Sequence, residues 1–407
     1  MTRFERSVIG VAVTAAPIAM GIALFLAGYS QTHGAWWTAS VQLAVLGGIT
    51  IMIYGVNVQA LPTHSGKKWR YPQLVALQVA AGIVGAWMLA WGYGERIDGW
   101  IKLGNLLAFT GAALFLINLV LLFSQPGERP PKIPWDKRTH HQKVDRLAIP
   151  FTMISGLAVV MGTALGVALD YWRPAQGRWD LVWAHLMLLG FFFAMASGTS
   201  YHMLGRWAEK EYTSLRLVQL HSIAFLIGVP AMTIALGWDI EWLFLVGAIS
   251  MATAMVAWAI NIVPVAWVLS PAVRIGISLA ILFMLVGIGF GVAFAIDEAL
   301  GPRLRTTHVL ANLYGFSGLL ISGFGYRYVP HLAEVDEIRW PSLRMPQIVL
   351  MAVGCTFGML FMGLRMYGHV EPEVVLWPCL VGAVGMIIFA ANTAATFLDA
   401  ARNTHHN

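Results

Sequence analysis

Charge is what this sequence has least of. Only 11% of its 407 residues are Asp, Glu, Lys or Arg, against 58% hydrophobic, and the mean hydropathy is +0.69. A water-soluble domain carries about 25% charged residues, so an ordinary globular enzyme is excluded. Two cysteines are too few for a disulfide framework, and Cys355 and Cys379 lie inside apolar runs, as small hydrophobes do. The hydrophobicity excludes disorder. The net charge of +6 does not indicate nucleic acid, because the basic residues sit between apolar segments and form no stripe.

A bilayer core takes about 20 apolar residues per helix. Twelve runs qualify, at 7–29, 36–61, 71–94, 101–124, 147–170, 180–205, 214–237, 242–269, 272–297, 305–329, 344–368 and 373–397. The expected fold class is therefore an all-α polytopic membrane protein with almost no extramembrane domain. The longest connection, 125–146, is proline-rich and basic. Of the Lys and Arg residues, 19 fall on the side of the N-terminus and 7 on the other. The positive-inside rule then predicts both termini in the cytoplasm, and the expected location is the cell inner (plasma) membrane. The first run has no small-residue cleavage site and reads as a retained helix.

The chain repeats itself three times. The second, sixth and tenth runs each carry two glycines eight apart, at 47/55, 190/198 and 315/323, followed seven residues on by Pro62, Gly205 or Pro330, read as helix breakers. The third run of each unit opens on Arg-x-x-Gln: Arg70/Gln73, Arg216/Gln219 and Arg344/Gln347. The first runs start at Arg6, Arg146 and Arg274 and reach Gly21, Gly162 and Gly289; the fourth runs each hold one Asn, at 118, 261 and 392. This predicts one membrane domain of three four-helix units, 1–124, 125–270 and 271–407. Helix packing accounts for the glycines, interhelical hydrogen bonding for the asparagines, and headgroup anchoring for the arginines.

No charge lies deep in a run, so histidines become the functional candidates. His185 and His308 stand at similar depth near the outer ends of the sixth and tenth runs. Histidine is the commonest metal ligand and often holds heme iron, so these two form the leading metal-site pair. His202 and His221 make a second, inner pair. His185 and His202 are about 25 Å apart along one helix and cannot share a metal. His221 aligns with Val75 and Val349 when the runs are matched on Arg-x-x-Gln, so the scaffold itself asks for no polar group there. Each histidine also has a structural reading, bonding a backbone carbonyl or facing a wet interface. His33, His64, His140, His141, His331, His369, His405 and His406 fall in connections or the tail. The 17 Trp and 11 Tyr cluster at run ends as an aromatic belt, and the 19 Met are scattered as core filler.

Twelve runs in three four-helix units, with histidines near the outer ends of second helices, resemble the heme-copper oxidase superfamily. The stretch from His308 to Pro330, HVLANLYGFSGLLISGFGYRYVP, is similar to that family's tenth helix, where a His-x-His pair precedes a glycine-rich segment ending in Pro. The resemblance places His308 on the ligand of the high-spin heme and Leu310 on that of the low-spin heme. His185, five residues before Gly190, keeps the offset of the second histidine. Gln42 stands where the partner ligand of the low-spin heme would be. The seventh run has no His-His pair, and no acid or Lys lines a proton route, so a complete proton-pumping oxidase is not expected. A closer similarity is to reduced relatives such as the NnrS-like heme- and copper-containing membrane proteins linked to nitric oxide.

The resemblance implies a heme-binding protein of oxidoreductase type, acting in electron transfer or in nitric oxide and metal handling. It implies a b-type heme, with copper as a second metal that the family pattern allows. Candidate cofactor-binding residues are His308, His185, His221 and His202, with His308 and His185 as metal ligands. His308 would be an axial ligand, and His185 either the opposite axial ligand or a metal ligand beside the heme. The partners expected are the bilayer and either a redox protein or a quinone, with assembly into oligomers open. Two rivals stand beside this reading: a polytopic transporter, and a cofactor-free membrane subunit of a respiratory complex.

Overall fold

The computed structural model describes residues 2–126, 133–172, 174–297 and 299–403. Arg173, His405 and His406 lie outside the described residues, as do the side chains of His64 and Arg303. Every element among the described residues is helical. Among the described residues twelve helices are long and apolar enough to cross a membrane: α1 (Arg3–Tyr29), α2 (Trp36–Thr63), α3 (Pro72–Glu95), α4 (Asp98–Phe123), α5 (His140–Tyr171), α6 (Trp179–Trp207), α7 (Leu215–Trp238), α8 (Glu241–Ala266), α9 (Pro271–Phe294), α10 (Leu304–Ala333), α11 (Pro341–Met366) and α12 (Pro372–Arg402). The chain is a multi-pass membrane protein.

Hydropathy finds these helices and misses their polar ends. Helix α5 begins seven residues before the apolar run, through HHQKVDR, because Thr139 and Gln142 close a capping box that satisfies the first amides. Pro62, Gly205 and Pro330 do not break their helices, contrary to the expectation; each lies inside the last turns of a continuing helix. Proline at 62 supplies no N–H to the Val58 carbonyl four residues back. The indole Nε1 of Trp69 donates to that carbonyl instead, at 2.7 Å, so the helix keeps its direction.

Close contacts divide the chain into two compact units. One comprises Met1–Ser124, Pro271–Phe290 and Ala299–Asn407; the other comprises Gln125–Ser270 and Gly291–Glu298. In the larger unit α1 packs along α12, with Gly28 against Cys379 and Gly382 against Leu24, and the Ser40 hydroxyl of α2 meets the Tyr314 hydroxyl of α10 at 2.8 Å.

Helices α2, α6 and α10 share one irregularity. Each contains a π-helical segment, Leu43–Thr50, Leu186–Phe193 and Leu310–Phe316. The glycine pairs face the preceding helix: Gly47 and Gly55 meet Ala19 and Ala12, Gly190 and Gly198 meet Ala158 and Thr152, and Gly315 and Gly323 meet Phe283 and Gly276. A methyl group at Gly55 would stand 2.7 Å from the Ala12 Cβ, so glycine sets the approach. Two α-turns take about seven residues, and a π turn adds one. The spacing of eight is therefore two turns of a helix that carries a π segment.

In hairpins α3–α4, α7–α8 and α11–α12 glycines bring the two helices together. A Cβ at Gly85 would lie 2.8 Å from the Ala108 nitrogen, one at Gly228 would lie 2.8 Å from Met251 side-chain atoms, and one at Gly354 would collide with the backbone of Gly382. The first two hairpins turn alike: Arg96 and Asp239 close α3 and α7 at φ 58° and 51°, and Ile97 and Ile240 follow in extended backbone ahead of an acidic first turn.

Candidate functional site: the buried histidines

His308 stands two residues ahead of the π segment of α10. Its Nδ1 lies 3.0 Å from the carbonyl oxygen of Gly287 on α9. A carbonyl only accepts, so Nδ1 carries the hydrogen, and in the neutral ring the lone pair is on Nε2. Asn312, one turn on, donates to the His308 carbonyl at 3.0 Å and lies 3.5 Å from Nδ1. Any side chain at Gly287 would overlap the Asn312 amide. The ring is thus held by the Gly287 carbonyl of α9, while Asn312 caps the His308 backbone carbonyl. The sequence pointed to Gly289 as the packing glycine of this helix, but nothing lies near Gly289; Gly287 makes the contact.

His185 stands directly ahead of the π segment of α6, with Nδ1 2.8 Å from the Leu181 carbonyl in the preceding turn. The same argument places its lone pair on Nε2. Both rings are half-buried. His308 belongs to the larger unit and His185 to the smaller. A ring whose second nitrogen donates to a carbonyl is the arrangement that orients metal-ligating histidines.

His221 is in different surroundings. It is fully buried on α7, with Nδ1 3.1 Å from the Tyr201 hydroxyl. Phe151, Phe193 and Phe225 surround it at ring-centroid distances of 4.4, 5.5 and 6.3 Å, and Nε2 has no partner. His202 points elsewhere. Its Nδ1 is 2.8 Å from Asp145 Oδ1 on α5, and Arg206 Nη1 donates to the same oxygen at 3.1 Å. The inner pair therefore shares no partner: one ring is caged by aromatics, the other belongs to an ion-pair cluster. Among the described residues no group of three or more His, Cys, Asp or Glu is close enough to hold a metal.

The Gly287 carbonyl sets the tautomer of His308, as carbonyls do for histidines that hold a metal, and the apolar groove of about 340 Å³ between α9, α10 and α11 is lined by Thr307, next to His308 in sequence. The residues around His221 fit no heme, since aromatic rings occupy the space in which a macrocycle would lie.

Three features escaped the sequence. Matching α3, α7 and α11 on their hairpin glycines puts Gln78, His221 and Gln347 on one level, each seven residues before Gly85, Gly228 and Gly354, and all three are buried. The alignment on Arg-x-x-Gln fails because Val349 is 50% exposed and cannot share the face of His221. The signal available was the glycine spacing. Second, Asn261 and Asn392 clamp backbone: each side chain both accepts from and donates to the main chain of Ser214 or Trp340, at 2.8–3.1 Å, while Asn118 donates to Gln78 at 2.9 Å. Third, Tyr212 plugs the end of α6. Its hydroxyl donates to the Ser200 carbonyl at 2.6 Å and accepts from the Gly205 amide at 2.9 Å, and burial raises the phenol pKa above its ordinary value. Comparison with protein-family models and with curated proteins gives no match for this chain.

Proposed function

We propose that this protein is a heme-binding membrane protein built, like heme-copper oxidases, from three four-helix units at 1–124, 125–270 and 271–407. Its heme is held through His308; His185, in the smaller unit, is a second metal-ligand candidate, with copper the second metal the reading allows. The observation that carries the reading is the His308 ring, set by the Gly287 carbonyl into the tautomer that leaves Nε2 as the ligating nitrogen. Three π segments at one place in three second helices support the repeat, because such segments concentrate at functional sites.

A bound heme would supply one-electron chemistry or a gas-binding iron. The chain supplies the rest. The Gly287 carbonyl orients the ligand ring, and Asn312 holds the His308 backbone carbonyl one turn back. In this reading the termini are cytoplasmic, the membrane is the inner membrane, and electrons pass to or from a partner protein or a quinone. The role is electron transfer or the handling of nitric oxide and metals.

The test is a reduced-minus-oxidised absorption spectrum of the detergent-purified protein, with iron and copper counted on the same sample. About one heme per chain, lost in His308→Ala, is the expected result; a shift on adding carbon monoxide would mark an open coordination position. A folded, colourless, metal-free protein would overturn the reading and leave the transporter or the cofactor-free subunit.

A further inference from the structure

The connection ahead of α5 ends in an ordered turn that covers no core. From Ile133 on, a single 3-10 turn, Trp135–Lys137, is closed by the Lys137 and Arg138 amides on the Pro134 and Trp135 carbonyls, at 3.1 and 3.3 Å. Arg138 Nε donates back to the Ile133 carbonyl at 2.9 Å, and the Thr139–Gln142 capping box leads the chain directly into α5. None of the three turn residues is buried, and Ile133 and Trp135 are 38% and 46% exposed. Two neighbouring large apolar side chains are therefore held outside the apolar runs.

Helix α5 fixes their depth. The Lys143 ammonium lies 5.9 Å from the centre of the Trp135 ring. Lys143 precedes the apolar run at 147 by four residues, about 6 Å along the helix, so the ring sits at the level of lipid headgroups, where tryptophan concentrates. The charge around it is mainly positive. Residues 125–146 carry six Lys or Arg against three acids, and one of those acids, Asp145, is already committed to His202 and Arg206. We infer that residues 133–143 dock on an anionic lipid surface, with Ile133 and Trp135 seated among the headgroups and Lys137, Arg138 and Lys143 against their phosphates. Under the positive-inside rule that surface is the cytoplasmic leaflet. An acidic protein would satisfy the cations equally well; the apolar pair at headgroup depth selects lipid.

The full-length protein is placed in nanodiscs of phosphatidylcholine alone or with about a third phosphatidylglycerol, and tryptic cutting after Lys137 and Arg138 is timed against cutting after the exposed Lys68 in the same tube. Both faces of a disc carry the same lipid, so neither topology nor heme content enters. Expected is cutting at least about fivefold slower in the anionic discs, the effect of one basic residue held at such a surface, and recovery of the rate in about 0.5 M salt. Trp135→Ser and Lys143→Gln alter side chains outside the core and should leave thermal unfolding in detergent at the parent's midpoint, yet each should return most of the lost rate. Equal cutting in the two kinds of disc would overturn the proposal and leave the patch to an acidic protein. Protection unmoved by both substitutions would overturn it as well, because neither the ring nor the ammonium beside it would then be the contact.

Discussion

His221 on α7 and Gln347 on α11 occupy one position of two helices and each pairs with a tyrosine hydroxyl. Tyr201 and Tyr326, each three residues past the second glycine of its helix, present their hydroxyls to His221 Nδ1 at 3.1 Å and to Gln347 Oε1 at 2.9 Å. Each of these two side chains has an Nε2 without a partner. In α2 the tyrosine position is Val58, and the matching Gln78 turns to Asn118 instead. The scaffold thus needs a polar side chain here, and histidine meets the need as glutamine does. A buried histidine is no indication of a metal when its neighbours' counterparts are amides. His308 differs: its ring is held by a carbonyl from another helix, in a position its counterparts fill with Ser40 and Trp183.

The comparison can be broken by substitution. The largest effect is expected at the hairpins, where Gly354→Leu must push the backbones of α11 and α12 apart; overpacking of this kind costs about 1–3 kcal/mol or more, and loss of the folded peak in detergent gel filtration would register it. Next come the clamps: Asn261→Ala and Asn392→Ala each remove two bonds to backbone, Asn118→Ala one bond to the Gln78 side chain, so both should lower the thermal midpoint more than Asn118→Ala. An equal loss in all three would show that the clamps are incidental. His221→Leu strands the Tyr201 hydroxyl and should cost roughly 1–3 kcal/mol, whereas His221→Gln, copying α11, should stay within about 1 kcal/mol and leave any heme spectrum intact. A spectrum lost in His221→Gln would return that residue to the ligand set. The smallest change in stability, with the sharpest readout, contrasts two glycines. Gly162→Ala meets the flexible Met187 side chain and should be tolerated; Gly287→Ala meets the Asn312 amide, and under the heme reading should perturb any heme spectrum by displacing the His308 ring.

The helices were legible because burial in lipid requires long apolar runs, and most boundaries fall within three residues of those expected. The error at α5 has a physical source: a capping box and a first turn of charged residues carry no hydropathy. The eight-residue glycine spacing was visible and its cause was not, since a π segment is defined by backbone bonds that any apolar side chain can accompany. The histidines could be found one by one. What surrounds each could not, because Gly287, Tyr201 and Asp145 reach them from other helices or turns that no spacing predicts.

The π segments separate the helices that carry them into two rotational settings. One residue inserted in a regular helix turns everything beyond it by about 100°. In α2, α6 and α10 that rotation is already absorbed at the segment. The half before it can therefore aim Gln42, His185 or His308 independently of the half beyond it, where the second glycine locks against the preceding helix. A side chain at the mouth of such a helix can be exchanged or re-aimed while the packed half keeps its register, so that ligand choice and assembly become separate degrees of freedom in one continuous rod.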